Sequence, residues 1–455
     1  MVKRKHKLEV ESPTGGKHLT KENCKACVVG IWHQGSVVSA CLADLGYSVV
    51  GVDKDPKTVK DLNNGIPPLF EPGLSELIIN NVNSKRLSYT TDLSQALKEA
   101  GYVLITFDTP VDEKDEVDLS EILATSIELA KYLENGSIII VSSQVPVGTC
   151  DQIKSIITQN NPSLDFDIAY SPENLRLGQA IEGFKNPERI VIGADNTLTL
   201  DRVEEFFDVI SAPKVRMNLT TAEMTKHALN AFLATSISFI NEIANLCDEL
   251  GADALKVAEA LQSDERIGQK LPLQPGLAFA GGTLARDLKV LKKLGDKFGY
   301  ETHLINGVLK VNEQQNKLVI RKLEKIYGSI KDLTVGILGL TYKAGTSTLR
   351  RSAALEIIND LTNKGAIVKA YDPKADLNEI QLHKEFEFCT DPYMVAKDSD
   401  ALVIVTDWPE FKILDFDLIK SIMKKPVIID AKNMLDGEQL DDKGFIYLGV
   451  GRGGK

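Results

Sequence analysis

The chain has 455 residues, 43% hydrophobic and 26% charged, with 64 acidic against 53 basic side chains and a formal net charge of −11. That length predicts two or three domains with sizeable cores, and the acidic balance excludes a general attraction for nucleic acid or an anionic membrane surface. No apolar run reaches the length of a membrane span.

Residues 1–26 are basic but lack the apolar stretch of a secretory signal, so they read as a mobile tail. The scattered Cys24, Cys27, Cys41, Cys150, Cys247 and Cys389 form no paired framework, which predicts a reducing, cytoplasmic location. Cys24 and Cys27 have metal-knuckle spacing, but no second pair or His pair follows, so no metal site is expected.

Residues 27–212 alternate short apolar runs with amphipathic stretches. The runs "CVVGI", "SVVGVD", "YVLITF", "SIIIVSS", "FDIAYS" and "RIVIGA" read as buried parallel strands, and the alternation predicts a doubly wound α/β sheet. Residues 213–326 are helical in pattern. Their "TTAEMTKHALNAFLATSISFINEIANLCDEL" is apolar enough for a long helix that bridges domains or forms a dimer seam. Residues 327–455 return to alternation, with strands expected at "LTVGILGL", "AIVKAYD", "ALVIVTD", "PVIIDA" and "FIYLG". The expected architecture is therefore two Rossmann-like doubly wound lobes joined by a long central helix and a helical dimerisation region.

The first turn, "GIWHQG", spans Gly30, Ile31, Trp32, His33, Gln34 and Gly35. Gly30 and Gly35 match the first and third glycines of a dinucleotide-binding turn, while Trp32 stands where the second belongs. Backbone N–H groups at the helix start still serve a phosphate if the Trp ring turns outward, and His33 and Gln34 offer further donors. Asp53 closes the second strand, placed for a ribose 2′-hydroxyl and so favouring NAD.

Later motifs are more specific. "LNNGIPPLFEPGLSELI", "YSPENLRLGQAIEGFKNPERIVIG", "KHALNAFLATSISFINEIANLC", "GLTYKAGTSTLRRSAALEII", "YDP", "TDWPEF" and "DAKN" follow in order. Together they resemble the UDP-glucose/GDP-mannose dehydrogenase family from residue 27 to about 452. That family oxidises the primary alcohol of a nucleotide sugar to a carboxylate with two NAD, through a thioester on a cysteine. Its first lobe binds NAD, its last lobe the nucleotide, and its central helix makes the dimer.

The resemblance implies roles by position. Lys226 and Asn230 match a catalytic pair, and their i, i+4 spacing puts both on one helix face. Glu173 matches a carboxylate that orients water or acts as general base, and Asp287 matches a further catalytic carboxylate. Thr109, Ser143 and Arg350 fall beside the cofactor. Leu175, Gly281, Lys343 and Lys432 fall on the nucleotide-sugar substrate, with Lys432 in place of a usual Arg. Arg266 resembles the residue that reaches the neighbouring subunit's site in a homodimer.

Three positions depart from the family pattern. Where it carries its nucleophilic cysteine, this chain reads "AGGTLARD", with Thr283 and Leu284 in that neighbourhood. The family's Ser-Thr becomes Ser143-Gln144, and a second carboxylate of the substrate loop becomes Leu177. A thioester at this motif is then unavailable, because an alcohol lacks the low pKa of a thiol. The reading that follows is NAD-dependent oxidation of a sugar CH–OH group, UDP-linked by resemblance, which can stop after one hydride transfer; the alternatives are a full two-step oxidation with water in place of the cysteine and Glu173 as base, and a protein that binds NAD and a nucleotide sugar without turnover.

Overall fold

The computed structural model describes residues 25–110, 117–172, 175–279, 283–349, 352–381 and 385–453. Residues 1–24 of the expected tail, Glu173, Gly281 and Arg350 lie outside these residues; Lys25 and Ala26, read as the end of that tail, already belong to the first strand, where they pair with the second and fourth. Of the described residues, 25–110 and 118–223 form one compact unit, and Val117 with those from Met224 onward form a second.

The first unit is built on eight strands: β1 (Lys25–Val29), β2 (Ser48–Val52), β3 (Leu87–Thr90), β4 (Ala100–Ile105), β5 (Ser137–Val141), β6 (Phe166–Tyr170), β7 (Ile190–Gly193) and β8 (Lys214–Met217). Their spatial order is β3-β2-β1-β4-β5-β6-β7-β8. Chain order reverses between β1 and β4, which creates the crevice at strand C-termini where such sheets take ligands. Alternate side chains enter opposite cores. Val28, Ile138 and Ile140 pack into one, while Val29, Ile139 and Val141 pack into the other.

The sequence reading missed two of these strands. β3 alternates buried and exposed residues, and β8 has no fully buried residue, so neither presents the continuous apolar run of a central strand. It also read the strand at "RIVIGA" as parallel to its neighbours. β7 meets β6 antiparallel through the single pair Tyr170 and Gly193, and is parallel only to β8.

The second unit begins in the central helix, Leu219–Leu250, whose first residues through Glu223 belong to the first unit. Helices Ala254–Gln262, Leu284–Lys297, His303–Asn316 and Leu318–Tyr327 follow. A six-stranded parallel sheet then forms from β9 (Thr334–Leu338), β10 (Ile367–Tyr371), β11 (Glu387–Phe388), β12 (Ala401–Ile404), β13 (Val427–Asp430) and β14 (Ile446–Gly449). Its order is β11-β10-β9-β12-β13-β14, which repeats the first six positions of the other sheet. The short edge strand β11 was also missed by the sequence reading, because two residues carry no period.

Glu223 anchors the start of the central helix. Its carboxylate accepts from the backbone N–H groups of Gly148 (2.6 Å) and Cys150 (2.9 Å), at the N-terminus of helix Thr149–Asn160. A buried carboxylate there satisfies otherwise orphaned donors and the helix dipole together.

Candidate active site

The turn after β1 requires both of its glycines. Gly30 has φ +91°, and a Cβ there would lie 2.6 Å from Phe107 Cδ1 and 2.9 Å from Phe107 N. A Cβ on Gly35 would lie 2.1 Å from the Gly30 carbonyl oxygen. Thr106, buried at the end of β4, donates its hydroxyl to that same carbonyl at 2.8 Å. Helix His33–Asp44 therefore starts hard against the sheet, with its first-turn N–H groups at the strand C-termini.

Trp32 does not break this turn. Its φ of −71° lies in the range any residue adopts, so no glycine is needed there, and its side chain is 45% exposed. One side-chain nitrogen of each of His33 and Gln34 is engaged within the fold. His33 Nε2 lies 3.0 Å from Glu71 Oε2, and Gln34 Nε2 donates to the Ser142 carbonyl at 3.0 Å.

Glu71 was not singled out in the sequence, although it stands in "EPGL". It is 3% exposed and also accepts from Gly178 N and Ala180 N, both at 2.8 Å. It thereby ties the loop before helix Ala180–Lys185 to the dinucleotide turn. The loop's Leu175 is half-buried against the core beneath that turn.

Asp53 follows β2. One oxygen accepts from Asp55 N at 3.0 Å and the other lies 3.4 Å from Ile31 N, a long contact that leaves acceptor capacity. Beside it is a cavity lined by Val29, Val52, Asp53, Thr91, Phe107 and Thr125. The buried Thr125 hydroxyl has no hydrogen-bond partner among the described residues. Thr109 donates to the Gln144 carbonyl (2.7 Å), and Ser143 to the Ile105 carbonyl (3.3 Å), which fix the next two loops along this edge. A glycine cradle, an aspartate with spare acceptor capacity and a cavity with an unsatisfied hydroxyl in its wall fit NAD.

In the second unit, four buried side chains gather. Lys226, His227 and Asn230 lie on the central helix and are 7%, 1% and 5% exposed; Asp287, in the first turn of helix Leu284–Lys297, is 0% exposed. Asn230 Nδ2 donates to Asp287 Oδ2 at 2.5 Å, and His227 Nδ1 lies 2.9 Å from Asp287 Oδ1. Thr283 caps the same helix, is exposed, and its hydroxyl bonds none of the helix N–H groups. The segment leading there is pinned by amides: Asn312 brackets Phe279 N (2.9 Å) and Phe279 O (3.1 Å), and Asn241 accepts from Gly276 N (2.9 Å). The sequence reading missed His227, although its i, i+3 spacing to Asn230 puts both on one face.

Lys343 follows β9 and Lys432 follows β13, so both stand at the C-terminal ends of strands of one sheet. Lys432 Nζ lies 3.6 Å from Asp407 Oδ1. Arg266 is a surface residue, its side chain 88% exposed and paired with Asp264 at 2.6 Å, which holds the Asp264 carboxyl below its usual range.

Buried thiols dominate the cysteine inventory. All five described cysteines are buried, and none of them forms a disulfide. Burial pushes the Cys27 thiol up to about 12, and burial together with the neighbouring Glu223 carboxylate holds Cys150 well above the normal thiol range.

A dinucleotide turn on one doubly wound sheet, with a second sheet of the same strand order, defines a dinucleotide-dependent oxidoreductase of two Rossmann-like lobes. Family models agree along the chain. Residues 24–211 match the NAD binding domain, 220–314 the central domain and 336–437 the UDP binding domain of the UDP-glucose/GDP-mannose dehydrogenase family. The chain is 39% identical to the UDP-glucose 6-dehydrogenase TuaD of Bacillus subtilis over 94% of its own length and 93% of the relative's. It is 38% identical to the UDP-glucose 6-dehydrogenase of Rhizobium meliloti, over 94% and 99%. The solved structure of a UDP-glucose dehydrogenase from Pyrobaculum islandicum superposes with a TM-score of 0.86 at 30% identity, over 97% and 100% of the two chains. This chain belongs to the UDP-glucose/GDP-mannose dehydrogenase family. It is an NAD-dependent oxidoreductase acting on the CH–OH group of a nucleotide sugar.

Proposed function

We propose that this enzyme oxidises one CH–OH group of a UDP-sugar in a single hydride transfer, releases the carbonyl product, and forms no thioester. The observation that carries this reading is the thiol inventory. Thr283 opens the helix that bears Asp287, and every described cysteine is buried. Thioester formation needs a thiolate in reach of the aldehyde, and an exposed threonine hydroxyl does not replace it.

NAD, when bound, supplies the hydride acceptor. Lys226 and Asn230 hold the sugar hydroxyl, the ammonium favouring the oxygen as it loses its proton. Asp287 holds Asn230, and Glu173 is assigned as general base. Gly30, Gly35, Asp53, Thr109, Ser143 and Arg350 are assigned to the cofactor. Leu175, Gly281, Lys343 and Lys432 are assigned to the substrate, the two lysines to its diphosphate. The relatives' names make UDP-glucose the first sugar to test.

The division into 27–212, 213–326 and 327–455 is part of this proposal, as is a homodimer in which Arg266 reaches the neighbouring site. Support for the dimer comes from the central helix, where Phe232, Phe239 and Leu246 recur at seven-residue intervals and are 59%, 47% and 55% exposed. Five described cysteines outside any disulfide support a reducing, cytoplasmic location.

The test is the number of NADH formed per sugar consumed across UDP-, GDP- and dTDP-sugars. One NADH with a carbonyl product is expected; two with a carboxylate product sinks the single-step reading. A second test is alkylation. Burial holds the Cys27, Cys150, Cys247 and Cys389 thiols above the normal range, so iodoacetamide at pH 8 is expected to leave activity intact. Rapid inactivation at neutral pH would reveal a reactive thiol.

A further inference from the structure

The Asp287 cluster contains a histidine that the family resemblance did not assign. Ionised, Asp287 is acceptor-only, so each group facing its oxygens must donate. That requirement fixes two orientations. Asn230 turns Nδ2, and not Oδ1, toward Asp287 at 2.5 Å. His227 presents a protonated Nδ1 at 2.9 Å. Because His227, Asn230 and Asp287 are 1%, 5% and 0% exposed, water does not stand in for a lost partner.

We infer that His227 is a positioning residue for the oxidation. Its Nδ1–H locks the Asp287 carboxylate, and the locked carboxylate sets the Asn230 amide with its carbonyl oxygen and remaining N–H turned away from Asp287. The central helix spaces Lys226 four residues from Asn230, so this setting decides which atom of Asn230 works beside the ammonium. Removing the Nδ1 donor leaves Asp287 one charge-assisted bond poorer in a buried site. The carboxylate then loses one of the bonds that fix its rotation, and the Asn230 amide is held less firmly in one sense. Misplacement of a positioned group by about 1 Å costs on the order of 100-fold in rate.

This inference rests on the dehydrogenase reading of the same cluster, and the experiment separates the two. Kinetics of H227L and H227N are compared with wild type on a nucleotide sugar that wild type oxidises, with thermal unfolding of each variant as control. Asn places an amide N–H near the position of Nδ1 but does not titrate. The expectation is that H227L lowers kcat about 100-fold with KM changed less than about threefold, and that H227N recovers kcat to within about fivefold of wild type. Wild-type kcat in H227L overturns the inference. So does an H227N as slow as H227L at unchanged melting temperature, since that makes the imidazole's ionisation, and not its donor, the needed property. If H227L fails to fold, H227N decides by the same criterion. A turnover-independent readout is the downfield proton resonance of the His227 Nδ1–H, expected in wild type and shifted or lost in D287N. Should wild type oxidise no nucleotide sugar, the dehydrogenase reading fails by itself, and the resonance alone supports or overturns the hydrogen bond on which His227's role depends.

Discussion

The two doubly wound lobes share a strand order and place an aspartate after the same strand, yet they use it in opposite ways. Asp53, after β2, is partly exposed and makes one good and one long contact to nearby N–H groups. Asp372, after β10, is 4% exposed and accepts from Leu340 N, Thr341 N, the Thr341 hydroxyl, Trp408 Nε1, Lys374 N and Ala375 N, all between 2.8 and 3.0 Å. A carboxylate with that many donors has no lone pair left for a ribose hydroxyl. The turns diverge too. Gly30 leads within three residues into helix His33–Asp44, whereas after Gly339 the next helix starts only at Ala353. The first lobe offers a helix N-terminus to a pyrophosphate; the last offers a longer loop that carries Lys343. One topology thus carries two different turns after its first strand, and what each lobe binds follows from the turn and not from the sheet.

The largest effect that tests this contrast is D372A. It orphans several buried donors at once, so the expected loss is about 3 kcal/mol of stability in urea unfolding. Affinity for NAD is expected to stay unchanged. A stable D372A that loses only nucleotide affinity would mean the two aspartates do the same job.

D53A is the counterpart. Its contacts are few and partly exposed, so stability is expected to hold within about 0.5 kcal/mol. NAD affinity is expected to fall about tenfold, the magnitude of a lost charge-assisted hydrogen bond to the ribose. Titration of NAD by fluorescence measures it, and an unchanged Kd breaks the assignment of this lobe's aspartate.

The legibility of the molecule follows the same division. Strands buried on both faces, such as β5 with "SIIIV" and β9 with "TVGIL", announce themselves as apolar runs. Edge strands β3, β8 and β11 do not, because one side faces solvent or the strand is too short. Of the site, Lys226, Asn230 and Asp287 were readable as motif positions. His227 was on the page beside Lys226 but unreadable as a partner, since Asp287 lies 60 residues away and only the packing of two helices joins them. Glu71 stayed silent for a like reason. It serves His33 38 residues upstream and Gly178 107 residues downstream, separations that no local period encodes. His33 and Gln34 look wholly available in a string of letters, whereas in the fold one nitrogen of each is already engaged by Glu71 and the Ser142 carbonyl.

Trp32 gives the smallest effect and sharpens the contrast between the turns. In the sequence it reads as damage to the glycine fingerprint. In the fold, the middle position has a negative φ of −71°, unlike Gly30 at φ +91°, so no left-handed backbone calls for a glycine there. The cost of a side chain there depends on where the ring goes, and the ring is 45% exposed. W32G is therefore expected to change the NAD dissociation constant by less than about threefold, with the helix start a few tenths of a kcal/mol less rigid from the added backbone freedom. Tighter binding by tenfold or more would mean that the indole obstructs the phosphate-facing N–H groups. Binding weaker by that amount would mean that the ring covers the bound pyrophosphate and that an aromatic contact has taken over from the missing glycine.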